Sequence, residues 1–236
     1  FLDNAHMIPK LLTVVPHAGQ ASYKLVADPL VTIVHHFNEI GSLSRMCAQN
    51  ESVPSAYEFL HSSLTKHIFS SYAMNFCGAW LNTRIGEVVS SIINNNTFLE
   101  TDPSKITDPA IKGKYNRDEQ LATVKKIANS ILQSIVAGLS SSPRPLWLFC
   151  NSLSLNTSQD IPQFLLLHFV VPALENPNLA NLSAQRPAKE AGRSLQIIAD
   201  VLRNYANAST VFIDQVPMAQ AGWTDNFHDH IANWAR

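Results

Sequence analysis

The chain of 236 residues suits one large domain, since a chain of this length can bury roughly 70–75% of the surface that it exposes when unfolded. Hydrophobic residues make up 46% of the sequence and charged residues 15%, and the formal net charge is -1. This balance is typical of a globular protein and excludes a long-range electrostatic attraction to nucleic acid or to an anionic membrane surface.

The cysteines predict the cellular compartment of the protein, and the first residue bears on whether the chain is part of a longer one. Cys47, Cys77 and Cys150 lie far apart among apolar neighbours and form no CxxC pair, which predicts reduced core thiols of a cytosolic protein. The sequence begins at Phe1 without a methionine or a signal peptide, which we interpret as a domain of a longer protein.

Apolar residues recur at spacings of three and four along almost the whole chain, which predicts an all-α protein. In chain order, the predicted helical stripes cover residues 30–40, 69–92, 121–139, 146–155, 161–174, 195–205 and 211–234. The first is expected to stop at Gly41, and the last is interrupted near Pro217. Residues 101–115 are predicted to form a loop because they contain prolines and a glycine. Alternating strand patterns are absent, so no sheet is expected.

The most apolar stretch, residues 161–174, is too short to cross a bilayer and too long for an ordinary strand. It predicts a buried central helix that Pro172 kinks or ends. Two interpretations of His168 within it stay open. In one, His168 is a core histidine whose ring nitrogens are satisfied by neighbouring groups; in the other, the helix presents it to a partner or a reacting group.

Motifs of the common enzyme classes are absent from the sequence. It contains no GxxxxGK[ST] or GxGxxG phosphate loop, no GxSxG elbow and no HExxH zinc site. The spacings His35-His36 and His228-Asp229-His230 do not place their side chains on one helical face, so we expect no metal site. The hypothesis of a hydrolytic enzyme is therefore supported only by scattered histidines and aspartates.

Two pairs of carboxylates are equally weak candidates for acid–base chemistry. Glu100 and Asp102 form one pair, and Asp225 and Asp229 form the other. Both lie in segments predicted to face solvent, where hydrated surface carboxylates are the default expectation.

Three segments match the motifs of a known family. Residues 164–174 read FLLLHFVVPAL, similar to F-L-F-L-R-F-x-x-P-A-I, and residues 193–207 read RSLQIIADVLRNYAN, similar to R-x-L-x-x-I-A-K-x-L-Q-x-x-A-N. Residues 100–106 read ETDPSKI, similar to E-x-D-P-S-K-I. In this order they resemble the catalytic domain of Ras GTPase-activating proteins (RasGAPs), an all-helical fold that binds Ras-type GTPases and speeds their GTP hydrolysis.

The resemblance covers about residues 25–207. It implies a single all-α RasGAP-like domain over residues 25–236, preceded by an N-terminal helical extension over residues 1–24.

The main departure from the family concerns its arginine finger. The family carries the finger in L-F-R-x-N-S-x-x-[ST]-K, where this chain has YEFLHSSLTK, and no arginine lies between Arg45 and Arg84. Matching backwards from Lys66 puts Phe59 at the finger, whereas matching the Phe-Leu pair puts His61 there. The resemblance therefore implies a divergent member with no intact catalytic residue.

Three further positions differ from the family. His168 occupies the place of the second arginine, which braces the finger loop. Asp200 stands where the family has a lysine that contacts the GTPase, and Arg203 stands where it has a glutamine. Ras-type switch regions present acidic residues, so Asp200 is expected to penalise the family's usual partner.

The resemblance implies a partner-binding groove rather than an enzyme active site. Its residues are Ser62, Ser63, Lys66, His168, Pro172, Gln196, Asp200, Arg203 and Asn207. The implied partners are a Ras-family small GTPase and other domains of the parent chain, without nucleic acid and without membrane insertion. No cofactor is expected, because GTP and Mg²⁺ belong to the GTPase. The expected location is the cytoplasm, with recruitment to a membrane through flanking domains or the GTPase as a further option.

Two functions are consistent with these departures. The first is a RasGAP-like regulator of GTP hydrolysis with weak or no finger-based stimulation. The second is a catalytically inactive scaffold that binds a GTPase within a larger signalling protein.

Overall fold

The computed structural model describes residues 20–36, 38–50, 64–156, 161–207, 212–213, 216–217 and 227–236. Its helices are α1 (Gln20–His36), α2 (Ile40–Asn50), α3 (Leu64–Phe76), α4 (Gly78–Asn94), α5 (Pro109–Lys112), α6 (Arg117–Gly138), α7 (Arg144–Asn156), α8 (Ile161–Leu165), α9 (Val171–Glu175), α10 (Lys189–Ala206) and α11 (Phe227–Ala235). Short 3-10 turns lie at Pro103–Lys105 and Leu139–Ser141, and a π segment lies at Leu166–Val170. Strands β1 (Phe212–Ile213) and β2 (Val216–Pro217) pair antiparallel. The predicted all-α fold is confirmed.

The centre of the domain is the apolar run from α8 through the π segment to α9. Helices α3 and α10 contact the π segment, and α11 contacts α8. Phe164 of α8 is fully buried, and its ring centroid lies 4.8 Å from that of Phe69. Phe69 in turn lies 5.2 Å from the ring of Phe149 in α7. Burial of these apolar rings is the main source of stability here, and each aromatic pair adds about 0.5–1.5 kcal/mol.

Pro172 neither ends the helical path of this run nor interrupts it with a loop. It is the second residue of α9, and the five residues before α9 form the π segment. A proline has no N–H, and its ring clashes with the carbonyl group four residues earlier in an α-helix. The wider π turn, in which the Val171 N–H donates to the Leu166 carbonyl oxygen five residues back, accommodates it.

The prediction of one helix over residues 30–40 that stops at Gly41 is wrong. Helix α1 ends at His36, and Gly41 lies inside α2. Asn38 lies between them with a φ of 56°, in the left-handed region that asparagine tolerates better than most residues. The spacing of apolar residues does not reveal such a break, because α1 and α2 both bury an apolar face.

The stripe over residues 69–92 is also divided, between α3 and α4 at Cys77. Helix α4 begins at Gly78, directly against the backbone of the segment that follows α9. A Cβ atom at Gly78 would lie 2.6 Å from the carbonyl oxygen of Ala180. Glycine is therefore required here by a close approach of two backbones.

Gly78→Ala is expected to lower the free energy of unfolding by about 1–3 kcal/mol, because its methyl group overpacks against backbone atoms. Gly192→Ala in α10 is the matched control, since its Cβ would have no neighbour closer than 4.0 Å. Helix propensity should make that variant about 0.5–1 kcal/mol more stable. Denaturant unfolding measures both, and equal stabilities would contradict the close approach at Gly78.

The predicted helix over residues 211–234 is wrong in its first part. Strands β1 and β2 lie there, and α11 begins only at Phe227. Phe212, Ile213 and Val216 are aromatic and β-branched residues that favour a strand, and Pro217 tolerates an end position.

The structure also bears on the predicted loop and on the predicted domain boundary. The predicted loop over residues 101–115 contains a 3-10 turn and the one-turn helix α5. Helix α1 crosses the expected boundary between residues 1–24 and 25–236 without a break. Residues 1–19 lie outside the described part of the chain, so the division into extension and domain stays a prediction.

The cysteines are core residues, as predicted. Cys47, Cys77 and Cys150 are buried and form no disulfide, and burial raises the pKa of Cys77 to about 12. Within the described ranges, no helix is both long and apolar enough to cross a membrane.

Candidate functional site

The predicted groove residues fall into two groups. Phe59, His61, Ser62 and Ser63 lie outside the described residues. Those that the structure describes are Lys66, His168, Pro172, Gln196, Asp200, Arg203 and Asn207. The latter lie on α3, on the π segment with α9, and on α10 with the residue that follows it.

His168 lies in the core beneath the candidate site. Only 5% of its surface is exposed, and its ring packs edge-on against Phe164 with 4.8 Å between the centroids. This placement agrees with the core position of the first interpretation. The expected satisfaction of both ring nitrogens is not met, because the buried Nε2 atom makes no hydrogen bond in the part of the chain that the structure describes. Direct contact with a partner would require the side chain to move.

Lys66 lies in the first turn of α3 and is partly buried. Burial lowers the pKa of its ammonium group below the ordinary value, because a charged form is disfavoured where water is excluded. Residues 51–63, which include the finger-loop positions, lie outside the described residues. The position of Lys66 relative to them therefore stays a prediction.

Helix α10 carries three of the predicted residues on one face, because Gln196, Asp200 and Arg203 are spaced by four and three residues. The Gln196 amide donates to Asp200 Oδ1 at 3.2 Å and to Glu175 Oε1 at 3.0 Å. Arg203 donates to the same two carboxylates. We call these four residues the α9–α10 ring: Glu175, Gln196, Asp200 and Arg203.

Glu175 is the member that sequence reasoning missed. It is the last residue of α9, and no family motif includes it. The only signal in the sequence is a carboxylate that directly follows the apolar run, which does not identify its partners. The ring contains two carboxylates and one guanidinium, so Asp200 is not the isolated negative charge that the sequence suggested.

Asn207 joins the site through a different residue. The Gln163 amide of α8 donates to Asn207 Oδ1 at 3.1 Å, which connects the start of the apolar run to the end of α10. Gln163 was not predicted as a site residue. Pro172 lies in α9 and is partly buried.

A second ion pair joins two of the family motifs. Arg193 at the start of α10 donates to both oxygens of Glu100, with Nε to Oε2 and Nη2 to Oε1 each at 3.0 Å. The backbone N–H groups of Thr101 and Asp102 donate to Glu100 Oε1 at 2.9 and 3.1 Å. Ser194 continues the contact, accepting from the Leu99 N–H at 2.8 Å.

The prediction that Glu100 faces solvent is therefore wrong, since only 4% of its surface is exposed. Asp102 does lie at the surface, where its side chain caps the 3-10 turn by accepting from the Ser104 N–H. Burial acts to raise the pKa of Glu100, but the hydrogen bonds from Arg193 and the backbone, together with the charge of Arg193, hold that pKa below its usual value.

Charged residues that the structure describes in the candidate site pair with one another. Of the three ion pairs among them, Arg193–Glu100 and Arg203–Glu175 join separate segments, and Arg203–Asp200 lies within α10. None of the three places a nucleophile beside a base. Within the part of the chain that the structure describes, no group of three or more His, Cys, Asp or Glu side chains could hold a metal ion. His35, one of the histidines whose spacing was considered for a metal site, stacks on Phe76 with 3.7 Å between the ring centroids.

Comparison with known proteins gives matches to GTPase activators. No protein-family model matches the chain. Over 142 residues it is 30% identical to a probable Ras GTPase-activating-like protein of Dictyostelium discoideum, a match that covers 54% of this chain and 15% of that protein. The chain is similar to Ras GTPase-activating proteins.

Two further comparisons extend the similarity. The chain is 23% identical over 198 residues to a GTPase-activating protein of Drosophila melanogaster, which covers 77% of this chain and 16% of that protein. It is 27% identical over 133 residues to an inhibitory regulator protein of Saccharomyces cerevisiae, which covers 53% of this chain and 4% of that protein. The chain thus matches one region of much longer proteins. The RasGAP-like regulator inferred from the motifs agrees with the names of the Dictyostelium and Drosophila proteins.

Proposed function

We propose that this chain is a RasGAP-like domain that binds a Ras-type small GTPase and regulates its GTP hydrolysis. The observation that carries the proposal is that hydrogen bonds connect the segments that contain the three family motifs. Glu100 of one motif is held by Arg193 of another, and the helix that contains the third motif is joined to α10 through Glu175. Such an assembly supports a shared binding face, and the similarity to named GTPase activators supports its partner class.

Stimulation of hydrolysis is proposed to be weak or absent. In the transition state, charge on the transferring phosphoryl oxygens is met by a permanently charged donor fork, which neither histidine nor phenylalanine provides. On Ras and its activators, the finger is worth roughly 10³–10⁵ in rate. At about 1.4 kcal/mol per tenfold, that is roughly 4–7 kcal/mol of transition-state stabilisation.

The remaining proposals follow from the partner. GTP and Mg²⁺ would be bound by the GTPase, so this domain needs no cofactor of its own. The domain would act in the cytoplasm, or at a membrane to which the GTPase or flanking domains recruit it. Those flanking domains would belong to a longer parent chain.

Single-turnover GTP hydrolysis tests the proposal directly. A panel of small GTPases is loaded with GTP or GDP and mixed with the chain, and binding and hydrolysis are both measured. Binding with acceleration above about tenfold supports a regulator of hydrolysis, whereas binding with less acceleration supports the alternative, a catalytically inactive scaffold. No binding to any GTPase would contradict both.

A single arginine in the finger loop is expected to restore little. We expect Phe59→Arg or His61→Arg to raise single-turnover hydrolysis by less than about tenfold, because the family's brace position holds the core residue His168. Leu60→Arg is the matched control, since neither alignment places Leu60 at the finger. A gain of about a hundredfold or more from Phe59→Arg or His61→Arg would show that the groove is otherwise complete.

A further inference from the structure

Glu175 stands out because it connects two parts of the candidate site and was not identified by any motif. It lies at the end of α9, directly after the segment that contains His168, and its Oε1 atom accepts from both Gln196 and Arg203 of α10. We propose that Glu175 is a positioning residue: it holds the Arg203 guanidinium in one arrangement on α10, ready for a partner. This inference rests on the proposed function, since it concerns the surface that would bind the GTPase.

The geometry of the α9–α10 ring supports this role. Each donor, Gln196 and Arg203, bridges both acceptors, Glu175 and Asp200, so the four side chains form a closed ring. An arginine held at two points by carboxylates has few rotamers left to it. Asp200 comes from the same helix as Arg203, so among the described residues Glu175 is the one that fixes the guanidinium relative to a second element.

The exposed fractions of the side chains distinguish a residue that positions the arginine from one that contacts a partner. Glu175 is the most covered of the three charged members, with 26% of its side chain exposed, against 36% for Arg203 and 46% for Asp200. A guanidinium has five N–H donors, of which the ring uses two. The residues that the structure describes leave the other donors of Arg203 open to a partner, while Glu175 acts through Arg203.

The ring also accounts for two departures from the family together. An aspartate replaces the family lysine at residue 200, and an arginine replaces its glutamine at residue 203. In the structure these two side chains pair with each other, and Glu175 adds a second carboxylate. The face of α10 thus presents, at the position of the family's glutamine, an arginine held by two carboxylates.

Positioning has a measurable consequence for binding. Immobilising one long side chain when a complex forms weakens Kd by about 2- to 12-fold. Glu175 removes that cost in the free domain, because Arg203 is already ordered. Glu175→Gln keeps the size of the side chain but loses the charge that holds the guanidinium, so the cost returns.

The test is a double-mutant cycle on the Kd for the tightest-binding GTP-loaded GTPase of the panel, using the whole chain. The variants are Glu175→Gln, Arg203→Met and the two combined. We expect Glu175→Gln to weaken binding by about 2- to 12-fold alone and to have almost no further effect in the Arg203→Met background. Glu87→Gln, the same charge change at an exposed position on α4, is the control and should leave Kd unchanged.

A purely structural role would give a different result. In that case Glu175→Gln would weaken binding equally with and without Arg203, which would overturn the inference, as would no change in Kd. Glu175→Asp, which shortens the side chain by one methylene, is the second variant if Glu175→Gln does not fold, and its loss should likewise depend on Arg203. Failure of the wild-type chain to bind any GTPase would overturn the proposed function and this role with it, whereas binding with additive losses overturns the role alone.

Discussion

Phe164→Ala is expected to lower the free energy of unfolding by about 3–5 kcal/mol. Phe164 is fully buried and packs against the rings of Phe69 and His168, each with 4.8 Å between centroids. Truncation removes the transfer free energy of the ring and leaves a cavity at the start of the central run. Since whole domains are stable by only about 5–15 kcal/mol, this loss is a large share of the total.

Denaturant unfolding with circular dichroism measures this loss, and two controls interpret it. Phe164→Leu fills most of the cavity and should cost about 1.5 kcal/mol or less. Leu25→Ala removes an apolar side chain that is 76% exposed and should change stability by less than about 0.5 kcal/mol. Similar losses for Phe164→Ala and Leu25→Ala would contradict the placement of α8 at the centre of the core.

Arg193→Met is expected to cost about 2–3 kcal/mol of stability, because it leaves the buried carboxylate of Glu100 without its bidentate partner. The estimate lies below the roughly 3–5 kcal/mol for breaking a fully buried pair, since a third of the Arg193 side chain is exposed. Lys105→Met is the matched control, because Lys105 pairs with Asp102 at the surface, at 3.6 Å, in the same segment. No measurable loss is expected there.

The pH dependence of the Arg193→Met loss provides a second measurement. Glu100 has a lowered pKa in the folded state, so its ionised form contributes stability above its usual pKa of 4.5, and that stability is lost as the pH falls through the lower folded value. The difference between wild type and Arg193→Met should therefore be full at neutral pH and narrow below about pH 4.5. A difference that is constant down to pH 3 would show that the pair does not carry the effect.

The ion pairs also bear on specificity. Sequence reasoning assigned to Asp200 a charge that would repel the acidic switch region of Ras. In the structure Arg203 neutralises part of that charge, and Glu175 and Gln196 share in the same ring. The surface proposed to bind a GTPase therefore carries charges of both signs.

Several features were predictable from the sequence alone. The three- and four-residue spacing of apolar residues is a local property, so it gave the all-α class and the buried position of the run over residues 161–174. The motif similarity was equally local, because it depends on short strings of residues. Burial of the three cysteines followed from their apolar neighbours.

Tertiary structure alone decided the contacts of the polar residues. Glu100 and Arg193 are 93 residues apart, and Glu175 and Arg203 are 28 apart. Nothing in a local pattern shows whether a carboxylate will face water or a guanidinium, because that depends on which helices come together. The same reason explains the π segment before Pro172, where a wider turn held by buried neighbours accommodates a proline that ordinarily ends a helix.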